Sequence, residues 1–588
     1  MPQTQQFQPQ STPTPTLSQS PNGRLRRCWK QPERKLAMRN QKNQSWLVIS
    51  FLIVLGLFAT ACGNDDASDE DVPDANQAVE QPSEESAEES TADEFAEEEP
   101  VEDEPSADKP AEKGGTLRIG VNQDVLNFDP FALNFEHFPT IMAMYDALVR
   151  YDSELNVSPS LATAWQVADD NSSVTVTLRD GATFHSGGPV DADAVVTTYL
   201  RAMDPETGNN MLGFSVDIEA VSAVDESTVL IEFKRPLPEL AITDILQAIS
   251  IIDPAGIDDL ATRGAGAGPF KFESWDPGVE LVLSANENYW GNRGPYVAEI
   301  VYTIFDDSDA QLAAYNSGAI DIAWNIPVKD AAALPQKNVL RGHPGSLTYA
   351  FQLNADRPPF DNPNMRKMLQ FATNRQGMVD AALFGQSTAT VLPWAKSSPA
   401  YDDALNEEYA FDLEQARELF DAGVAEGAQT SAVLNINSGT PQMLLMGQIL
   451  QADLAKIGFD MQINSLDGAA FADFYVAKDY GLITNFNGNL AKYPTRLTGN
   501  STFRLEDNRG WPDGLPQEYV DAINQASFAL TPAEQEAAFA NLRDVLLDLS
   551  WVINIAYNQN TSAVADHVSG AAVTVDTMLI LEDIQLDG

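Results

Sequence analysis

At 588 residues the chain is longer than one hydrophobic core usually serves, so at least two lobes and some non-globular sequence are expected. A formal net charge of −51, from 86 acidic and 35 basic side chains, argues against nucleic acid as a partner. With only Cys28 and Cys62 available, no disulfide framework can carry the fold.

Residues 1–37 are rich in Gln, Pro, Ser and Thr and end in a basic run, which reads as a low-complexity extension or a mis-assigned start. From Met38 the pattern changes. Arg39 and Lys42 precede the apolar stretch Trp46–Phe58, and Ala59-Thr60-Ala61-Cys62 forms a small-residue cleavage site, so 38–61 reads as a signal peptide. The apolar stretch is shorter than the roughly 20 residues a spanning helix needs. It resembles a bacterial lipoprotein signal, which implies a lipidated Cys62 as mature N-terminus. Residues 62–113 follow as an acidic tether, with 21 acidic and two basic side chains after the cysteine. Such a segment cannot bury enough apolar surface to fold. Its coil dimension is about 40 Å, extended further by self-repulsion.

The body opens on the alternating strand Gly114–Val121 and turns at Asn127-Phe128-Asp129-Pro130. A helix carrying Met142, Tyr145 and Leu148 is expected next, then Leu161–Trp165, the strand Val174–Leu178, and a helix capped by Asp191. Gly264-Ala-Gly-Ala-Gly268 has the wrong spacing for a dinucleotide loop and leads into Pro269 and a strand. The order then becomes specific: Gly268-Pro269-Phe270, a turn at Asp276-Pro277-Gly278, Asn286-Glu-Asn-Tyr289-Trp290-Gly291, and Ser317-Gly-Ala-Ile-Asp321-Ile.

Taken together these pieces resemble the family-5 extracellular solute-binding proteins of ABC importers, a group that includes oligopeptide-, dipeptide- and nickel-binding proteins. Tyr289 and Trp290 read as corner-packing aromatics within that pattern. After Leu347–Asn354, a helix starts at Asn362-Pro363. Its Arg366, Met368, Leu369, Phe371, Ala372 and Arg375 resemble a further family helix. Helices at Gln415–Ala422, Met443–Ile457, Phe471–Ala477 and Ala533–Leu549 alternate with short strands, and Trp551–Ile555 is expected to return the chain to the first lobe.

The resemblance implies an α/β fold of the two-lobe, periplasmic-binding-protein-like kind. It would be the large class II type, with an extra subdomain in the first lobe, closing on a central cleft. The expected division is 114–345 for the first lobe, 346–535 for the second and 536–588 for the return. Ligand contacts implied by the resemblance fall at Asn127, Phe128, Asp129, Tyr145, Trp324, Asn325, Asn354, Trp394, Asn487, Asn489 and Lys492. Peptide-binding relatives place an Asp in the loop matching Asn485–Arg496, where it receives the peptide α-ammonium. This chain has no carboxylate there, and Lys492 and Arg496 make the loop cationic.

No catalytic motif appears: there is no G-x-S-x-G elbow, no Walker loop and no HExxH. His137, His185, His343 and His567 are scattered, so neither a metal site nor a nickel ligand set is expected, and no cofactor. The implied role is a lipid-anchored, extracytoplasmic and monomeric binding subunit. It would deliver peptides or peptide-like solutes to separate permease and ATPase subunits. The same fold serving a sugar or other organic solute, and a receptor or envelope scaffold without a transport partner, remain open.

Overall fold

The computed structural model describes residues 114–132, 139–152, 154–291, 294–344, 347–488 and 493–587. The signal, Cys62, the tether, Asn489 and Lys492 lie outside the described residues.

The first lobe is built on a seven-stranded sheet. Its order is Val339–Arg341, Thr561–Val564, Ile322–Ile326, Thr116–Val121, Glu299–Ile304, Glu280–Ala285 and Phe270–Asp276. Thr116–Val121 runs parallel to both of its neighbours, as βαβ crossovers require. A four-stranded antiparallel sheet, Ala162–Val167, Ser173–Leu178, Thr228–Phe233 and Ile218–Asp225, forms the inserted subdomain. It shares one continuous apolar core with the main sheet. Local chemistry fixes the elements. Asp191 accepts from Ala194 N at 2.9 Å to start the helix Ala192–Met203, and Gly278, at φ +76°, closes the turn between Phe270–Asp276 and Glu280–Ala285.

The second lobe carries a five-stranded sheet ordered Asp460–Leu466, Ser431–Asn437, Leu482–Gly488, Leu347–Leu353 and Val552–Tyr557. Two apolar clusters pack on it, one around Phe351, Met368 and Leu450, the other around Trp394, Tyr519 and Trp551. The chain passes between the lobes after Arg341 and again after Tyr557. The two passages lie side by side: Gly342 N donates to Asn560 O at 2.7 Å and Asn558 N to Leu347 O at 2.9 Å.

Two expectations are corrected. Val552–Tyr557 does not return the chain to the first lobe, because it pairs antiparallel with Leu347–Leu353 as an edge strand of the second sheet. The helix Pro532–Leu549 packs in the same lobe, so the return begins after Tyr557 and not at 536. The helix expected to carry Met142, Tyr145 and Leu148 is only Ile141–Met144. Tyr145 is extended, and its hydroxyl donates to Phe128 O at 2.7 Å and accepts from Ala265 N at 2.9 Å. The glycines opposite explain the tight fit: a Cβ on Gly266 would stand 2.0 Å from Met144 O.

Candidate ligand cleft

The parallel strands of both sheets present their carboxyl ends to the two passages, since Ile326 pairs with Thr561 and Gly488 with Leu347. Crevices outside strand carboxyl ends are where open α/β sheets bind ligands. The cleft is therefore bounded by the loop after Val121, the end of Ile322–Ile326 and the end of Leu482–Gly488.

On the first-lobe side most of the expected contacts serve the fold. Phe128 is 1% exposed and packs edge-on against Phe272 and Trp275 at 5.2 and 5.3 Å. Asn127 Oδ1 accepts from Asp129 N at 2.9 Å, and the Asp129 carboxylate is held by Arg201 at 2.7 and 3.1 Å. Tyr145 is buried between Phe128 and Ala265, as described above. Trp324 lies in the first-lobe core. Asn325 differs. It is partly exposed, sits at φ +56°, and its backbone N donates to Ser562 Oγ at 3.0 Å. Its side-chain amide has no hydrogen bond among the described residues, which leaves it available at the strand end.

On the second-lobe side the sequence pattern hides a buried amide network. Asn485 and Asn487 alternate with Phe486, so both point to one face of Leu482–Gly488. Asn485 Nδ2 donates to Gln352 Oε1 at 2.6 Å and to Thr502 Oγ1 at 2.9 Å. Gln352 Nε2 donates to Tyr480 Oη at 2.9 Å, and Thr348 Oγ1 to Asn554 Oδ1 at 3.1 Å. Asn487, fully buried, lies within 3.4 Å of both Asn485 and Asn554. It anchors the strand end and does not offer its amide to the cleft. Asn354 is set apart from the passages. It lies beyond Leu353, at the end of the sheet away from the passages, where Nδ2 donates to Lys478 O at 3.1 Å. Trp394 is fully buried, and its Nε1 donates to Pro494 O at 3.1 Å, supporting the loop from behind.

The loop's cationic reading also changes. Arg496 Nε donates to the buried carboxylate of Asp244 at 3.4 Å, Nη1 to Gly213 O at 3.1 Å and Nη2 to Ala241 O at 3.3 Å. All three acceptors belong to the first lobe. Its charge is committed to the facing lobe.

Outside the cleft the recognised motifs are structural. Trp290 Nε1 donates to Asp146 at 3.0 Å, Tyr289 Oη accepts from Arg150 at 2.9 Å, and Arg179 lies over the Trp290 ring at 4.4 Å. Burial raises the Asp146 pKa against the opposing pull of Arg150. No group of three or more metal-ligating side chains occurs among the described residues.

Residues 156–511 match the family described as "Bacterial extracellular solute-binding proteins, family 5 Middle". The glutathione-binding protein GsiB of Shigella boydii serotype 4 is 26% identical over 491 residues, covering 80% of this chain and 94% of the relative. GsiB of Escherichia coli strain K12 is 27% identical over 493 residues with the same coverage. Among solved structures, the substrate-binding protein CtaP of Listeria monocytogenes superposes with a TM-score of 0.72 at 21% identity, covering 81% of this chain and all of that one. AgaA of A. tumefaciens R10, in complex with agropinic acid, gives 0.67 at 23% identity over 81% of this chain and 99% of its own. With two sheets meeting at paired crossings and the family match spanning more than half of the sequence, the chain belongs to the family-5 bacterial extracellular solute-binding proteins.

Proposed function

We propose that the chain is the extracytoplasmic solute-binding subunit of an ABC importer, held to the membrane by lipid on Cys62. Its solute is peptide-like, and the end that meets the second-lobe loop carries no net positive charge. The make-up of residues 485–496 carries this reading: the segment has no carboxylate to receive an ammonium, and it contains Lys492. A neutral amide acceptor forgoes a charge-assisted hydrogen bond, roughly twice as strong as a neutral one. The relatives named for glutathione fit this chemistry, because a γ-glutamyl end bears a carboxylate beside its ammonium and is neutral overall. Capture follows from differential affinity: solute touching both lobes stabilises the closed arrangement.

Calorimetry tests the ligand class. Glutathione and N-acetylated trialanine are expected to bind about tenfold or more tightly than free trialanine, a difference of about 1.4 kcal/mol. Lys492→Ala should weaken glutathione binding while leaving the melting temperature unchanged. Free trialanine binding best, undiminished in Lys492→Ala, would overturn the reading.

The anchor is tested separately. Cells fed labelled palmitate should incorporate it into the wild-type protein, and Cys62→Ala should lose the label and leave the membrane fraction. An unlabelled wild-type protein removes the lipid anchor.

A further inference from the structure

Among the described residues, Arg504 and Arg509 are the only partly buried arginines whose guanidinium makes neither a hydrogen bond nor an ion pair. In a chain with 86 acidic and 35 basic side chains, two such cations five positions apart call for an explanation. The Nε of each is shielded from water and has no acceptor. Burying a donor without a partner is costly, so an anion is what this loop lacks.

The loop that carries them is fixed from within. Asn508, 3% exposed, donates through Nδ2 to Thr502 O at 3.0 Å and Arg504 O at 2.9 Å, and its Oδ1 accepts from Gly510 N at 2.8 Å. Arg509 N donates to Ser501 O at 3.1 Å, and Arg509 O accepts from Tyr480 Oη at 2.9 Å. The Arg509 guanidinium lies over the Tyr475 ring at 4.0 Å, and Tyr475 in turn stacks on Tyr480 with an interplanar angle of 20°. Stacking occupies the flat face of a guanidinium and leaves its edge donors free for a planar acceptor. Both arginines also act on one neighbouring point. The Asp507 carboxyl sits below its usual range, chiefly through its bond to Lys478 at 2.6 Å, with Arg504 and Arg509 adding at longer range. Asp507 makes no ion pair with either arginine, so it belongs to Lys478 and leaves both guanidinia unmatched.

The position is remote from the cleft. Ala355 N donates to Gly510 O at 2.7 Å and Asn354 N to Gly481 O at 2.9 Å, which sets the loop against residues beyond Leu353, at the end of the sheet away from the passages. We propose that Arg504 and Arg509 form a second binding site on this lobe, for a small oxyanion bearing a carboxylate or phosphate group. Stacked Arg509 offers the planar fork and Arg504 a second charge, and hydrogen bonds from a guanidinium to an ionised oxygen are roughly twice as strong as neutral ones. The site is independent of the solute assigned to the cleft.

The test uses the mature full-length protein, titrated by calorimetry with inorganic phosphate and, separately, with citrate at fixed ionic strength. At least one of the two anions should bind saturably, raise the melting temperature by mass action and slow amide exchange at 501–510. Binding of phosphate alone identifies a phosphate site, and binding of citrate alone a carboxylate site. Arg509→Gln and Arg504→Gln should each weaken the anion about tenfold, the scale of one charge-assisted hydrogen bond. Arg504→Gln removes no hydrogen bond among the described residues, so its melting temperature without anion should match the wild type and separates lost binding from lost folding. Arg509→Lys keeps the charge but not the fork and should recover only part of the affinity. Asp507→Asn removes an opposing charge and should tighten binding, whereas Arg263→Gln, at an exposed arginine of the first lobe, should leave it unchanged. The proposal is overturned if neither anion binds the wild type saturably, if binding is undiminished in Arg504→Gln and Arg509→Gln, or if Arg263→Gln costs as much as they do.

Discussion

Arg375→Met should be among the most destabilising single substitutions in the second lobe, lowering unfolding free energy by about 4 kcal/mol, a large fraction of the roughly 5–15 kcal/mol typical of a folded domain. Arg375 is 6% exposed. Its Nε donates to Asn554 O at 2.7 Å, its Nη1 to Gln370 O at 3.0 Å and Tyr409 O at 3.2 Å, and its Nη2 to Gln370 Oε1 at 2.5 Å. One side chain thus ties the edge strand Val552–Tyr557 to the helix Pro363–Ala372 and to the loop at Tyr409. Burial pulls its pKa down to about 9, which still leaves it charged at neutral pH.

A buried charge can sometimes be exchanged for an apolar side chain at little cost, because both partners of an ion pair can be replaced. Here three of the four acceptors are backbone carbonyls, which no substitution removes. Methionine would leave them without a donor in a dry interior, and each orphaned group costs about 1–3 kcal/mol. Arg375→Lys, with a point charge in place of a planar fork, should recover only part of the loss. Urea denaturation followed by tryptophan fluorescence measures both. A loss below about 1 kcal/mol in Arg375→Met would show that water or repacking satisfies those carbonyls, contrary to the geometry.

The elements written in local chemistry were legible in the sequence, and the long-range ones were not. Asp276-Pro277-Gly278 announced its turn, Asp191 and Asn362-Pro363 their helix starts, and Tyr289-Trp290-Gly291 its corner, because each is fixed by backbone needs within a few residues. Trp551–Ile555 shows the limit. Its apolar run identifies a buried strand but not the sheet it joins, and pairing with Leu347–Leu353 depends on residues some 200 positions away. The burial of several candidate contacts was hidden for a related reason. Phe128, Tyr145, Trp324 and Trp394 are large aromatics near the expected cleft, but their burial is decided by tertiary neighbours such as Phe272, Ala265 and Pro494. Arg496 read as a cation facing ligand because nothing local reveals that Asp244 will meet it.

Acidification should weaken the first lobe through His185, and the direction follows from its surroundings. Its Nε2 lies 3.0 Å from Gly268 O, which fixes the proton on that nitrogen, and its Nδ1 is shielded from water without a hydrogen-bond partner. Burial pulls its pKa down to about 4, with the Gly268 carbonyl opposing and nearby Lys271 assisting. In the unfolded chain the same ring titrates near the ordinary value of about 6.5. Above that pH both states hold a neutral ring and His185 contributes no pH dependence. As pH falls from about 6.5 to about 4, the unfolded chain takes up a proton that the folded lobe refuses, so stability declines by up to about 3 kcal/mol and levels off below. His185→Gln keeps a donor for Gly268 O and has no proton to gain. Its unfolding free energy should therefore fall less steeply than that of the wild type across this window, with the carboxylates contributing equally to both. Ring resonances of His185 should stay at their neutral positions until pH nears 4; a midpoint near 6.5, or parallel pH profiles for wild type and His185→Gln, would show that the ring is solvated and that the strand after Gly268 does not depend on its neutrality.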